Sequence, residues 1–293
     1  MSKRRNRPQS APKREKVRDI FVGRPFEGLA DETEWIALRE LVPAASAPLR
    51  LKTEIISEYG DRPVTLSTVL PMAWPAMTRQ DGRVFVGLQR HVQSGDVSRD
   101  LAVAILRALR TEPGDTVSVP ALPGEGPRLQ DILEDGPLEI TMHEGFEYWL
   151  DAEQAEDENV KASLERANAS IYPTARLAAA HAAYWCRVPD KAHVRWVLPD
   201  QEDGALDALA RLSASGELLL GDGTKFAGMF RAHGLLVPVW DVPGGPEAAD
   251  WEAPLADFAK RYGDTLALAG TAPLDAAARR AKQGLVGRQL TLR

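Results

Sequence analysis

Short apolar runs broken by glycine constrain this chain more than any other feature. Between residues 213 and 243, Leu218 to Leu220, then Phe226, Met229 and Phe230, then Leu235 to Val237, Val239 and Trp240 form such runs. Gly221-Asp222-Gly223 and His233-Gly234 interrupt them. Apolar runs of a few residues between Gly and Asp turn signals read as buried strands joined by tight connections. This stretch is a sheet core that carries no recognisable chemistry.

The rest of the chain alternates strands with helices. Acidic Asp31, Glu32 and Glu34 open a helix over 35–42, where Trp35, Leu38, Leu41 and Val42 share a face and Pro43 ends it. Strands are expected at 49–56, 64–72 and 84–89. A helix follows over 98–110, with Leu101, Ile105 and Leu109 on one face and Asp96 or Ser98 as N-cap. A Pro- and Gly-rich connection spans 112–127, with a short strand at 116–119. Further on, the pattern gives a strand at 138–142, an acidic helix starting at 146–150 and running to 168, and a helix buried on most sides over 175–185. The second part repeats the order: strand 194–198, helix 205–212, strands 218–220, 226–230 and 235–239, and helices 251–262 and 274–283. Ala37-Leu38-Arg39-Glu40-Leu41 is echoed by Ala208-Leu209-Ala210-Arg211-Leu212, which points to a tandem duplication. The expected class is α+β: two related helix-strands-helix halves with mixed or antiparallel sheets, 21–155 and 156–293, after a disordered basic tail over 1–20.

Charge is segregated along the chain. Within residues 1–18, Lys3, Arg4, Arg5, Arg7, Lys13, Arg14, Lys16 and Arg18 stand against Glu15 alone, a net +7, so the chain's net of −6 leaves −13 on the remainder. An acidic body argues against a large nucleic-acid-binding face, whereas the arm can hold a polyanion by itself. One cysteine, Cys186, excludes an intrachain disulfide and fits a reducing cytoplasm. The N-terminus lacks an apolar signal region and no apolar run is long enough to span a bilayer, so no membrane partner is expected.

Motifs for chemistry are sparse. Gly216, Gly221 and Gly223 precede Thr224-Lys225 in the wrong spacing for a phosphate-cradling loop, and a hairpin turn explains them better. His143-Glu144 continues without a second imidazole on the same face, so no zinc motif forms and no metal or cofactor is expected. Glu139, His143, Glu144 and Glu147 nonetheless have the residue types for acid-base work or for a metal, although a solvated strand-to-helix corner explains them equally well. A turn at His233 can present Arg231 and His233 to a ligand; a turn histidine bonded to backbone is the plainer reading. Cys186 reads as a buried, inert thiol.

The segments Arg24-Pro25-Phe26-Glu27-Gly28-Leu29, 37–49 (ALRELVPAASAPL), 65–76 (TLSTVLPMAWPA), 133–149 (LEDGPLEITMHEGFEYW) and 230–243 (FRAHGLLVPVWDVP) resemble a family of actinobacterial cytoplasmic proteins classed as a domain of unknown function. The resemblance spans nearly the whole folded part and implies one fold and an actinobacterial origin. It carries over no catalytic residue. The leading expectation is a non-enzymatic cytoplasmic binding or adaptor protein that contacts nucleic acid or the ribosome through its basic arm. The alternatives are an enzyme or small-ligand binder with a site between the halves, built from Arg231, His233, Glu139, His143 or Glu144, and a homodimeric interaction module.

Overall fold

A two-residue turn at His233-Gly234 joins the two longest strands, β9 (Lys225–Ala232) and β10 (Leu235–Val242). Both turn residues have positive φ, 48° and 90°, as a type I′ hairpin turn requires. Glycine is needed at 234 on a second count, because a Cβ there would lie 3.1 Å from the Gly23 carbonyl oxygen and 3.0 Å from the Arg24 side chain. The hairpin tip therefore presses against the start of the folded chain.

The computed structural model describes residues 19–91, 93–120, 122–151, 157–269 and 272–287. The basic arm from Lys3 to Arg18 and the expected boundary near 155 lie outside the described residues. The described helices are α1 (Glu32–Glu40), α2 (Thr53–Tyr59), α3 (Val97–Arg110), α4 (Leu129–Ile132), α5 (Glu158–Asn168), α6 (Glu202–Ser215), α7 (Glu252–Ala269) and α8 (Ala276–Gly287). Two five-stranded sheets complete an α+β fold. The first contains β1 (Ala45–Leu49), β2 (Val64–Val69), β3 (Ala76–Thr78), β4 (Val84–Gln89) and β5 (Thr141–Met142) in the order β3-β4-β2-β1-β5. It is mixed, since β2 and β4 run parallel and the other neighbours antiparallel. The second contains β6 (Thr174–Leu177), β7 (Ala183–Val188), β8 (Lys191–Trp196), β9 and β10 in the order β6-β7-β8-β10-β9, antiparallel throughout. The two sheets match in strand number and differ in order and direction.

Helix α1 organises the packing. Every residue from Thr33 to Arg39 is buried, which a helix achieves only with layers on both sides. Trp35, Ile36 and Leu38 share one apolar core with Leu66 and Val86 of the first sheet and with Tyr184, Phe230 and Val237 of the second. The opposite face of the second sheet carries Trp185, Trp196 and Trp240 and is covered by α6 and α7 through Leu209, Leu255 and Phe258. On the outer face of the first sheet, Phe85, Phe146 and Trp149 pack with Leu164 of α5.

Pro238 sits inside β10, where a lost N–H would normally be costly. The ladder with β8 begins only at Val239, so the missing donor falls outside that pairing. Against β9 the register shifts between Val239 and Trp240.

Several expected elements differ. Residues 175–185 form β6 and β7 with a turn between them, not a helix. Alanine favours helices by propensity, but Tyr184 packs on the inner core and Trp185 on the outer one, the period of two that a strand imposes. The strand expected at 49–56 ends at Leu49, and α2 follows from Thr53. That strand starts earlier, in Ala45-Ser46-Ala47, and the small side chains of Ala45 and Ala47 lie in the core shared with α1. Residues 218–220 and 116–119 carry no strand. Leu218 instead accepts a bond from the Trp240 indole through its carbonyl, 2.8 Å.

Candidate functional site

Acidic residues at both ends of α1 reach the second half. At the N-terminal end, Asp31 adopts φ 56° and accepts from the Leu138 N–H at 2.7 Å, and its other oxygen lies 3.1 Å from His181 Nε2. One turn on, Glu34 is fully buried. Its carboxylate accepts from Tyr184 Oη at 2.6 Å and from the Ala182 N–H at 3.3 Å, and pairs with Arg176 at 2.6 Å. Burial and the Glu34 charge push the Tyr184 phenol well above its ordinary range. At the C-terminal end, Glu40 accepts from His233 Nε2 at 2.9 Å and lies 3.3 Å from Arg39 Nε. Burial alone would raise the Glu40 carboxyl; the His233 bond and the charges of His233 and Arg39 together outweigh it and hold the group below the usual range. These are compensated pairs that fasten the halves together.

The sequence-flagged residues are placed apart. His233 turns toward the first half, its ring edge-on to Phe26 at 5.3 Å. Arg231 points the other way and donates from Nε to Glu202 of α6 at 2.7 Å. Glu139 pairs with the exposed Arg50. Only His143 and Glu144 come together, on the wall of a cavity of about 500 Å³ between the halves that is also lined by Tyr172, Trp185 and Glu247.

His143 is held on three sides. Its N–H donates to the Ala44 carbonyl at 2.9 Å, its Nε2 lies 2.8 Å from Ser46 Oγ, and its ring stacks on Tyr148 at 4.0 Å. Tyr148 Oη in turn meets Ser67 Oγ at 2.7 Å. Burial lowers the His143 pKa against the opposing pull of the Glu147 charge. A serine beside a neutral histidine is half of a nucleophilic pair. Here Ser46 lies within a strand paired on both sides, to Ser67 of β2 and Thr141 of β5, so its neighbouring backbone is committed to the sheet and not turned toward an oxyanion.

A second cavity, about 210 Å³, borders the first at Pro43, Tyr172 and Thr174 and lies on the other face of the β6–β7 edge. Its wall adds Glu40, Gln89, Cys186 and Arg195. Among the described residues the only partner of the Arg195 guanidinium is the Cys186 sulfur. Burial raises the Cys186 thiol pKa against the pull of Arg195. The Trp185 indole N–H is buried and has no acceptor among the described residues. Described residues contain no helix long and apolar enough to cross a membrane.

Sequence reading missed Glu34, Arg176, Tyr184, Trp185 and Arg195. Four of the five were out of reach once 175–185 was taken as a helix, because Arg176, Tyr184 and Trp185 lie in that segment and Arg195 is the cross-strand neighbour of Tyr184. Alternation of Tyr184, Trp185 and Cys186 was the available signal.

Comparison with curated proteins and with solved structures returns no match. A sequence model of a family of unknown function (DUF5926) matches residues 25–293, and the chain therefore belongs to that family.

Proposed function

We propose that the protein is a cytoplasmic binding or adaptor protein, not an enzyme, whose folded body presents the basic arm to a polyanion such as RNA, DNA or the ribosome. The observation that carries this reading is the charge segregation, +7 over residues 1–18 on a body of −13. The root of the arm supports it. Asp19 accepts from the Gly95 N–H at 2.8 Å, and the Val22 N–H donates to the Gly95 carbonyl at 2.8 Å. A Cβ on Gly95 would lie 2.8 Å from the Ile20 carbonyl oxygen, so the first described residues cross this glycine in direct contact. Lysine and arginine contacts to phosphate release counterions, so binding through the arm falls steeply with salt, by about 0.7–0.9 in the log–log slope per phosphate neutralised.

Titrating a labelled single-stranded RNA and a labelled duplex DNA with the full chain, and with a chain starting at Asp19, tests this by fluorescence anisotropy. Loss of the arm is expected to weaken binding about tenfold or more at low salt and to flatten the salt slope. Equal affinities for the two chains would remove the reading.

A second reading, a small-ligand binder with its site between the halves, is favoured by one observation. His143 and Glu144 stand on the wall of a cavity of about 500 Å³, within the range of small-molecule sites.

A further inference from the structure

Phe21 is the most exposed large apolar side chain among the described residues, 84% open to solvent. Its backbone is tied on both sides to one peptide. The Gly95 N–H donates to Asp19 Oδ1 and the Gly95 carbonyl accepts from the Val22 N–H, both at 2.8 Å. A Cβ on Gly95 would also lie 2.8 Å from the Phe21 Cα, so backbone meets backbone here. Gly23, two residues on, brings no side chain to cover the ring. A single exposed phenylalanine needs no partner by itself. The position of this one supplies the argument: Arg18 stands three residues before it and Lys16 five, at the end of the stretch that carries +7. The acids at this root are engaged. Asp19 accepts from Gly95, and Asp96 lies 3.6 Å from Arg99 and 3.1 Å from Arg128.

Cations followed by a solvent-facing ring on a held backbone are the parts of single-strand recognition: the cations meet phosphates and the ring takes the face of a base. A duplex offers the cations the same phosphates but keeps its bases stacked on one another, so the ring gains nothing from it. Unpaired bases are the normal state of RNA loops and ends. An anionic bilayer fits less well, because a plane of lipid would bring the −13 body against like charge, whereas a strand touches the root alone. We propose that Phe21 is a stacking platform for a base of single-stranded RNA whose phosphates pair with the lysines and arginines of the arm. The assignment rests on the reading of the arm as a polyanion binder, and it selects one polyanion.

The test compares the full chain with Phe21→Ala and Phe21→Trp. Anisotropy follows a labelled oligouridylate, the matching oligodeoxythymidylate and a duplex RNA, and co-sedimentation follows phosphatidylserine vesicles. Phe21→Ala is expected to weaken the oligouridylate about tenfold, the effect of one lost base stack. Its salt slope should be unchanged, since no phosphate contact is removed. Phe21→Trp is expected to keep the affinity, and the duplex to bind all three chains alike. If Phe21→Ala holds the oligouridylate as tightly as the parent while a chain starting at Asp19, which keeps the ring, has lost affinity, the stacking falls and the polyanion reading stands. If the chain starting at Asp19 binds as tightly as the full chain, the polyanion reading falls and this inference with it. Equal losses on duplex and single strand, tighter binding of the deoxy strand, or a loss confined to the vesicles would each overturn the assignment to unpaired RNA.

Discussion

Glu34→Ala is expected to cost about 3–5 kcal/mol of folding stability, the range for removing one partner of a buried, hydrogen-bonded ion pair. The deletion would strand the Tyr184 hydroxyl and the Ala182 N–H, both buried, with no acceptor. Arg176 is 41% exposed and can turn to water, which places the effect toward the lower end of that range. Tyr184→Phe removes one donor and leaves the carboxylate bonded to Ala182 and paired with Arg176, so its cost should be nearer 1–3 kcal/mol. Urea unfolding followed by circular dichroism gives both values. A Glu34→Ala loss below that of Tyr184→Phe would show that the carboxylate does not hold this end of α1.

Trp240→Ala is expected to be equally severe, about 3–5 kcal/mol. Trp240 is fully buried in the core between the second sheet and α7. Its ring meets Phe258 at 4.8 Å and Phe226 at 5.8 Å, edge to face in both cases, and its indole satisfies the Leu218 carbonyl. Truncation removes the centre of that cluster and leaves the carbonyl of a loop without its donor. Thermal unfolding by calorimetry measures the loss. The result that would count against this packing is a midpoint within a degree or so of the parent protein.

How far the sequence disclosed this arrangement depends on whether the deciding contact was local. The His233-Gly234 turn, β4 at 84–89 and the Asp96 cap of α3, which accepts from the Arg99 N–H at 3.3 Å, were all readable because turn and cap chemistry act within a few residues. The burial of Glu34 was not readable. An acidic residue in a first helical turn looks like a complement to the helix dipole, and its partner Tyr184 arrives from 150 residues away. Ala-rich 175–185 failed for a related reason: alanine reports propensity, and the strand pairing that overrides it comes from β8. His143 and Glu144 were flagged by residue type alone. Arg195 carried no local mark, since only the approach of the two halves places it on the wall of a cavity.

Helix α1, clasped at Asp31, Glu34 and Glu40 and buried between two sheets, is the part on which this account depends, because it makes the halves unfold together. Native-state hydrogen exchange over a range of low denaturant concentrations tests that directly. Amides of α1 and of β10 should exchange with the same free energy and the same denaturant dependence, and should fall together in Glu34→Ala. Exchange of α1 at a much lower free energy while β10 stays protected would contradict it.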